Sequence, residues 1–315
     1  MSIRGLLRTA VLLAFAFTAT AAGAAQRVAI GTGGTGGLFY IVGAGMAKVI
    51  NEHLPGVTAR AEVTGASIEN IRRVAAGQEQ VGFSSASTLY EASAGRMPFH
   101  SPQPVAAIAY LYPAVLHIAV KADSKFRTID DLKSATINLG PPGSNSAVLG
   151  MRLLNAYGVF DISHARFLSY TEGTNAMLNG TIDATMVLAG APTAAMIDLA
   201  TQRHIRLLSV NKARIGNMLQ KYRFYRLDTI PAGTYRGQDK DITVIDDPAI
   251  LFTAKSVSDR MVYDITRTIF THLDEIGAIH PQAKKIKLPT ATNTPIPLHP
   301  GARRFFDTQQ GQTAQ

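Results

Sequence analysis

Residues 28–40 read Val-Ala-Ile-Gly-Thr-Gly-Gly-Thr-Gly-Gly-Leu-Phe-Tyr. A short apolar strand runs into a glycine-rich turn, and the turn opens a helix. Backbone N–H groups and the positive end of a helix dipole there point at one spot, which is a site for an anion. Glycine allows φ > 0 and lets a ligand approach the main chain closely. A second helix start of this kind stands at Gly140-Pro141-Pro142-Gly143-Ser144-Asn145-Ser146. The pair predicts one small ligand held between two lobes.

The chain ahead of this motif reads as a secretory signal peptide over residues 1–25. Arg4 and Arg8 form a basic start, residues 10–17 an apolar stretch, and Ala22-Gly23-Ala24 a small-x-small cleavage pattern. An uncleaved anchor is the alternative. With Cys absent there is no lipoprotein anchor, disulfide or thiolate metal site. The rest of the sequence has no apolar run of membrane-spanning length, about 18 residues. Cleavage after Ala24 leaves 291 residues, enough for one large or two medium domains, and lowers the formal charge from +9 to +7. The basic residues are scattered, Trp is absent, and the densest stretch (Arg203 to Arg226) lacks a repeated stacking pattern. The charge is read as a solvated face, and nucleic acid is not expected as a partner.

Strands and helices alternate from Arg27 to Ser209. Leu38, Ile41, Val42, Met46, Val49 and Ile50 repeat at helical spacing, and Pro55-Gly56 stops that helix. Val57, Ala59, Ala61 and Val63 alternate as in a strand, and Ser67 is the expected N-cap of the next helix. Short strands follow at Gln80–Ser84, Val105–Leu111, Val115–Val120, Ala135–Leu139, Ile182–Leu188 and Ile205–Ser209. The helix after Ser144 is expected to end at Gly158, another to start near Pro192, and a long packing helix to cover Val257–Ile276. This order favours α/β architecture with mostly parallel sheets flanked by helices, and ligands in such sheets sit at the carboxyl ends of the strands.

Gly31, Gly33 and Gly36 match the Gly-x-Gly-x-x-Gly dinucleotide fingerprint in the right local context. The acidic ribose ligand that should follow about 20 residues on is missing at that distance, since Glu62 comes late. No cofactor is expected. The histidines at 53, 100, 117, 164, 204, 272, 280 and 299 show no metal-ligand spacing with neighbouring carboxylates, and there is no Gly-x-Ser-x-Gly elbow. His117 lies in an alternating apolar strand and reads as structural. Asp130-Asp131 reads as helix-start capping. Thr32, Thr35, Ser67, Asn70, Ser84, Ser85, Ser87, Ser144, Asn145 and Ser146 all fall at predicted strand ends or helix starts, which supplies a hydrogen-bonding cleft and no catalytic pair.

Several ordered stretches resemble the TAXI solute-binding proteins, the extracytoplasmic partners of tripartite ATP-independent periplasmic (TRAP) transporters. They are Thr32-Gly33-Gly34-Thr35-Gly36-Gly37 with Tyr40, Thr64-Gly65-Ala66-Ser67 with Glu69-Asn70, Gly140-Pro141-Pro142-Gly143-Ser144, and Ala189-Gly190-Ala191-Pro192-Thr193. Ile230-Pro231-Ala232-Gly233-Thr234-Tyr235 with Gly237-Gln238, and Pro297-Leu298-His299-Pro300-Gly301-Ala302, complete the set. The resemblance implies a two-lobed periplasmic binding protein of the type II class that delivers a solute to TRAP membrane subunits, in a family associated with glutamate, glutamine and related dicarboxylates. There are departures: Ser85-Ala86-Ser87 replaces a frequent Gln-Ser-Asp, Phe39 a frequent Tyr, Ile41 a frequent Pro, and Ala66 a common second Gly. Neutral Ser87 removes a carboxylate suited to an ammonium group, which favours a non-amino ligand such as a 2-oxo or dicarboxylic acid.

Lobe one is expected over 26–115 and 241–315 and lobe two over 116–240, with hinge crossings near Tyr112–Val115 and Lys240–Val244. The expected ligand-binding set is Gly33, Gly34, Thr35, Gly36, Gly37, Tyr40, Ser67, Asn70, Ser85, Ser87, Ser144, Asn145, Ser146, Gly190, Ala191 and Pro192. Arg72 is expected at the surface. The partners implied are a small organic anion and TRAP membrane subunits, with the protein a periplasmic monomer and no enzyme. The alternatives are a binding protein serving a sensor and a secreted α/β enzyme.

Overall fold

The computed structural model describes residues 25–313. The expected signal peptide lies outside the described residues except for Ala25. Among the described residues no helix is long and apolar enough to cross a membrane.

The chain first lays down β1 (Gln26–Gly31), α1 (Leu38–His53), β2 (Val57–Glu62), α2 (Ser67–Ala75), β3 (Val81–Ser85), α3 (Ala86–Ser93) and β4 (Val105–Tyr112). It then passes through Pro113-Ala114 into β5 (Val115–Lys121), β6 (Ile137–Asn138), α4 (Asn145–Tyr157), β7 (Ala165–Arg166) and α5 (Tyr170–Leu178). Next come β8 (Ala184–Ala189), α6 (Ala194–Gln202), β9 (Ile205–Leu207), α7 (Gly216–Lys221), β10 (Arg226–Ile230) and β11 (Ile242–Asp246). A second passage at Asp247-Pro248 leads to β12 (Ala249–Ala254), α8 (Asp259–Thr271), α9 (Leu273–Ile279), α10 (Leu288–Ala291) and α11 (Pro300–Thr313).

Two sheets result. The first has five strands in the order β2-β1-β3-β12-β4; the second has the order β10-β11-β5-β8-β6-β7, with β9 also on β5. The pairs β1–β2, β1–β3, β6–β7 and β6–β8 are parallel, as alternating strands and helices require. The sheets are nevertheless mixed rather than mostly parallel. β12 runs antiparallel to β3 and β4, and β5 runs antiparallel to β8, β9 and β11. β5 and β12 begin where the chain has just changed sheets, so each enters from the cleft side against the direction of its neighbours, while β10 at the sheet edge runs antiparallel to β11. The second passage also falls later than the expected Lys240–Val244, because Ile242–Asp246 pairs with β10 and β5 in the second sheet.

Both faces of the first sheet are covered, so β3 and β12 are buried along their whole length. One apolar cluster joins Val28, Ile30, Phe83 and Leu111 of the first sheet to Val115, Val187 and Met196 of the second half. A second lies within the second half around Leu116, Leu139, Leu149 and Met186, and a third packs Ile71 and Leu89 on Ile250 and Phe252. The helix expected over Val257–Ile276 is broken at His272 into α8 and α9, which lets α9 fold back onto α1. The strand expected over Ala135–Leu139 shortens to Ile137–Asn138.

His117 on β5 is fully buried and structural, as its apolar strand suggested. Its Nδ1 lies 3.0 Å from the carbonyl oxygens of Val115 and Val187, and its Nε2 lies 2.8 Å from the Tyr235 hydroxyl. Nδ1 therefore carries the proton, and Nε2 accepts from Tyr235. Burial pulls its pKa from 6.5 to about 4, against the two carbonyl hydrogen bonds. Between these values the unfolded chain takes up a proton that the folded chain refuses, so this contribution to stability is lost as the pH falls from 6.5 to about 4. The gap in melting temperature between wild type and His117→Gln is expected to narrow over that window; a gap constant with pH refutes the assignment.

Candidate functional site

Four successive loops leave the carboxyl ends of their strands and open helices on one cleft. The loop after β1 contributes Gly33, Gly34, Gly37, Leu38 and Phe39; that after β2 contributes Ala66 and Ser67. The end of β3 supplies Ser85, and the loop after β6 supplies Pro141, Ser144, Asn145 and Ser146. Tyr170, Leu188 and Ala189 complete the wall from the second half. The N-termini of α1, α2, α3 and α4 therefore converge on one space from both sheets.

Each loop is held in place by its own chemistry. Ser144 caps α4: its Oγ accepts from the Ala147 N–H at 3.3 Å and donates to the Pro141 carbonyl at 2.7 Å. Gly65 sits where the loops of the two halves nearly touch, and a Cβ there would lie 2.5 Å from the Pro142 carbonyl oxygen. Ser67 is the first residue of α2 rather than its N-cap, because its Oγ turns to accept from the Ser85 N–H at 3.0 Å. The cap position falls to Ala66, with φ 72° and ψ −144°. That backbone region is nearly exclusive to glycine and costs other residues about 1–3 kcal/mol.

Beneath the cleft, the fully buried Asn70 ties two loops to strand β3. Its Nδ2 donates to the Thr32 and Phe83 carbonyls at 2.8 Å each, and its Oδ1 accepts from the Thr64 hydroxyl at 2.6 Å. Beside the cleft, Asp247 at the second sheet passage is fully buried. Its Oδ1 accepts from the Ser87 N–H at 3.0 Å; its Oδ2 accepts from the Ser87 hydroxyl and, at 2.5 Å, from Asn145 Nδ2. Asn145 Nδ2 also reaches Ser87 Oγ at 3.1 Å. Burial pushes the Asp247 carboxyl up to about 6 and the three hydrogen bonds pull it back. Its neighbour Asp246 is pushed to about 7 by burial and by the Asp247 and Asp228 charges.

Further bridges close the cleft. The Ile68 N–H donates to the Gly143 carbonyl at 2.9 Å, and the Gly36 carbonyl accepts from the Ala195 N–H and the Thr193 hydroxyl, both at 3.3 Å. Arg152 on α4 reaches Glu91 on α3 at 2.7 Å and the Tyr225 hydroxyl at 2.8 Å. Burial raises the Glu91 pKa even with that guanidinium against it.

Among the described residues no charged side chain lines the cleft. Among the described residues the first-turn amides of Ser67, Asn145 and Ser146 have no acceptor, as expected of helix starts left open. One helix terminus stabilises an anion by about 0.3–1 kcal/mol when exposed and up to ~2 when partly buried. The start of α3 is already taken by Asp247 and the Pro248 carbonyl, but the termini of α1, α2 and α4 together rival one charge-assisted hydrogen bond, about 1.5–3 kcal/mol. A small anion therefore needs no cation here. The cavity volume is about 30 Å³, a few times the roughly 10–15 Å³ that one water requires.

Away from the cleft, folding assembles one group that the linear spacing hid. His53, His272 and Glu275 bring ligand-type atoms within 4.8 Å of one another. The two rings stack at 3.7 Å with planes 11° apart, and His53 Nε2 lies 2.9 Å from Glu275. Lone pairs lying in two parallel ring planes do not converge on one ion, so the group reads as a stacked histidine pair with an ionic partner.

Residues 30–309 match the NMT1-like family. The chain belongs to that family. Its fold is that of type II periplasmic binding proteins. It is similar to the periplasmic binding protein BugD (TM-score 0.57, 15% identity, 91% of this chain and 95% of that one). It is also similar to the periplasmic aliphatic sulphonate binding protein SsuA from Escherichia coli (TM-score 0.51, 14% identity, 90% and 83%). A third is the putative L-cystine ABC transporter protein from Listeria monocytogenes (TM-score 0.52, 11% identity, 85% and 99%).

Within this family fold, the cleft gathers Gly33, Gly34, Gly37, Ser67, Ser85, Ser144, Asn145 and Ser146 of the expected set. The other expected residues stand elsewhere. Thr35 is exposed, Tyr40 is half-buried off the cleft, and Gly36 bridges to the second half. Asn70 and Ser87 hold the frame, as described above. Gly190 packs on Leu38 and Gln282, the Ala191 carbonyl accepts from Gln282, and Pro192 follows a cis peptide bond beside them. Arg72 is exposed, as expected. Leu38, Phe39, Ala66 and Pro141 were missed although they adjoin recognised motifs. Tyr170 was missed with its whole helix, although Ser169-Tyr170-Thr171-Glu172 spells the capping box that the structure forms there. Leu188 and Ala189 close a buried strand, and no local signal marks them as lining.

Ala66→Gly is expected to relieve the strained loop and stabilise the protein by about 1 kcal/mol. Chemical denaturation measures this; unchanged or lower stability refutes the strain.

Proposed function

We propose that this protein is a periplasmic solute-binding protein that captures a small organic anion and passes it to a TRAP transporter. The observation that carries the reading is the convergence of three open helix N-termini, those of α1, α2 and α4 and so drawn from both sheets, on one neutral cleft. The family membership and the binding-protein fold support it, and so do the TAXI-like motifs, several of which lie on the cleft. The signal-like start of the chain favours secretion. No nucleophile–base pair lines the cleft, which favours capture over catalysis.

On this reading the two halves are lobes that part and close about the passages at Pro113-Ala114 and Asp247-Pro248. The bridges from Ile68 to Gly143, from Gly36 to Thr193 and Ala195, and from Glu91 to Arg152 form on closure and break on release. The dicarboxylate, 2-oxo acid and glutamate-like ligands implied by the TAXI resemblance all present a carboxylate to the helix starts. They differ in what else they ask of the walls.

A thermal-shift screen over organic acids and amino acids identifies the ligand, since binding to the native form alone raises the melting temperature. Gly34→Val and Ser144→Val are each expected to lower affinity at least about 100-fold with unchanged circular dichroism, equivalent to about 2.7 kcal/mol. Gly34 lines the cleft, and a Cβ there meets no atom within 4 Å, so the variant adds bulk at the cleft without disturbing the fold. Retained affinity in both overturns the site. Uptake by TRAP membrane subunits reconstituted with the protein, driven by an ion gradient without ATP, tests the partner; failure there, with uptake through an ATP-driven system, reassigns it.

A further inference from the structure

We infer that the captured solute is a singly charged 2-hydroxy acid with an apolar chain; this rests on the capture reading above. The first support is Asn145. Its Nδ2 is committed to the Asp247 carboxylate and to Ser87, so the amide cannot be flipped without setting an acceptor against a carboxylate. Its Oδ1 is therefore the open end. That oxygen is buried and has no hydrogen-bond partner among the described residues, on a side chain that lines the cleft and is itself 2% exposed. A buried acceptor left unpaired is costly, and a ligand donor beside the anion hole relieves it.

The donor is identified by what each candidate group brings. A 2-hydroxyl offers one donor to one open acceptor. A 2-oxo group could accept from the buried Ser146 hydroxyl, which is also unpartnered, but it leaves Asn145 Oδ1 unpaired. An ammonium brings a charge and three donors, and the cleft has no carboxylate to receive them. Both oxygens of Asp247 are already filled, and Asp247 does not line the cavity.

The charge is limited to one. The positive partial charges of the helix termini meet at the polar side of the cleft, and no Lys, Arg or His lines it. The nearby Arg152 is occupied by Glu91 and Tyr225. A second carboxylate would face Leu38, Phe39 and Leu188, and those apolar walls suit an apolar chain.

Isothermal titration calorimetry on the wild-type mature protein with four probes tests the inference: 2-hydroxybutyrate, 2-oxobutyrate, 2-aminobutyrate and 2-hydroxyglutarate. The first is expected to bind at least about tenfold more tightly than each of the others. Equal or tighter binding of any of the other three overturns the inference and leaves anion capture standing. So does silence of all four when another organic anion binds. If no anion in a wide acid panel binds the wild type, the capture reading falls and this inference falls with it.

Discussion

Asp247 lies where the chain returns from the second sheet to the first, and its two oxygens take hydrogen bonds from both halves. Ser87 at the start of α3 gives it an N–H and a hydroxyl, and Asn145 at the start of α4 gives it an amide. The rest of the cleft depends on this knot. It fixes the relative position of two helix N-termini that belong to different sheets. It also decides which end of the Asn145 amide remains open. Losing a partner would strand a buried carboxylate, and such breaks commonly cost about 3–5 kcal/mol. Because burial raises the Asp247 pKa to about 6 while its hydrogen bonds oppose that rise, the carboxylate is mostly ionised at neutral pH, where its acceptors are fully used.

Around that knot the molecule attracts an anion without a cation. Backbone amides are fixed by the helices they begin, so they require no side-chain ordering when a ligand arrives. A lysine or arginine would lose rotamer freedom worth about 1.5–2 kcal/mol in the same role. The guanidinium that does stand close, Arg152, is spent on Glu91 across the two halves. Charge here joins the halves, and the neutral main chain is left for the solute.

Much of this was legible locally. The strand–glycine turn–helix at residues 28–40, the Ser144 cap and the Gly158 helix end all follow from residue chemistry within a few positions, and each forms as read. Ser67 shows the limit of that reasoning. Its position favours capping, yet a distant N–H at Ser85 takes its hydroxyl. The Gly190-Ala191-Pro192 turn looked like a ligand wall and is instead packed on Leu38 and Gln282, a contact across 91 residues of sequence at its Ala191 carbonyl. The mixed strand directions could not be read either, because β5 and β12 take their polarity from the sheet change, and β10 from its antiparallel pairing with β11, not from their own residues.

The sequence by itself determined the local elements: which segments become strands, where helices begin, and that several beginnings carry bare amides and small hydroxyls. Those properties arise from φ/ψ preferences and short-range hydrogen bonding. Only the tertiary structure decided which beginnings meet. Asn145, Ser87 and Asp247 are far apart in the chain and are joined by burial and by the two passages between sheets. The selection among equally plausible polar residues, between those that face the cleft and those that hold its frame, is a property of packing and has no counterpart in local sequence.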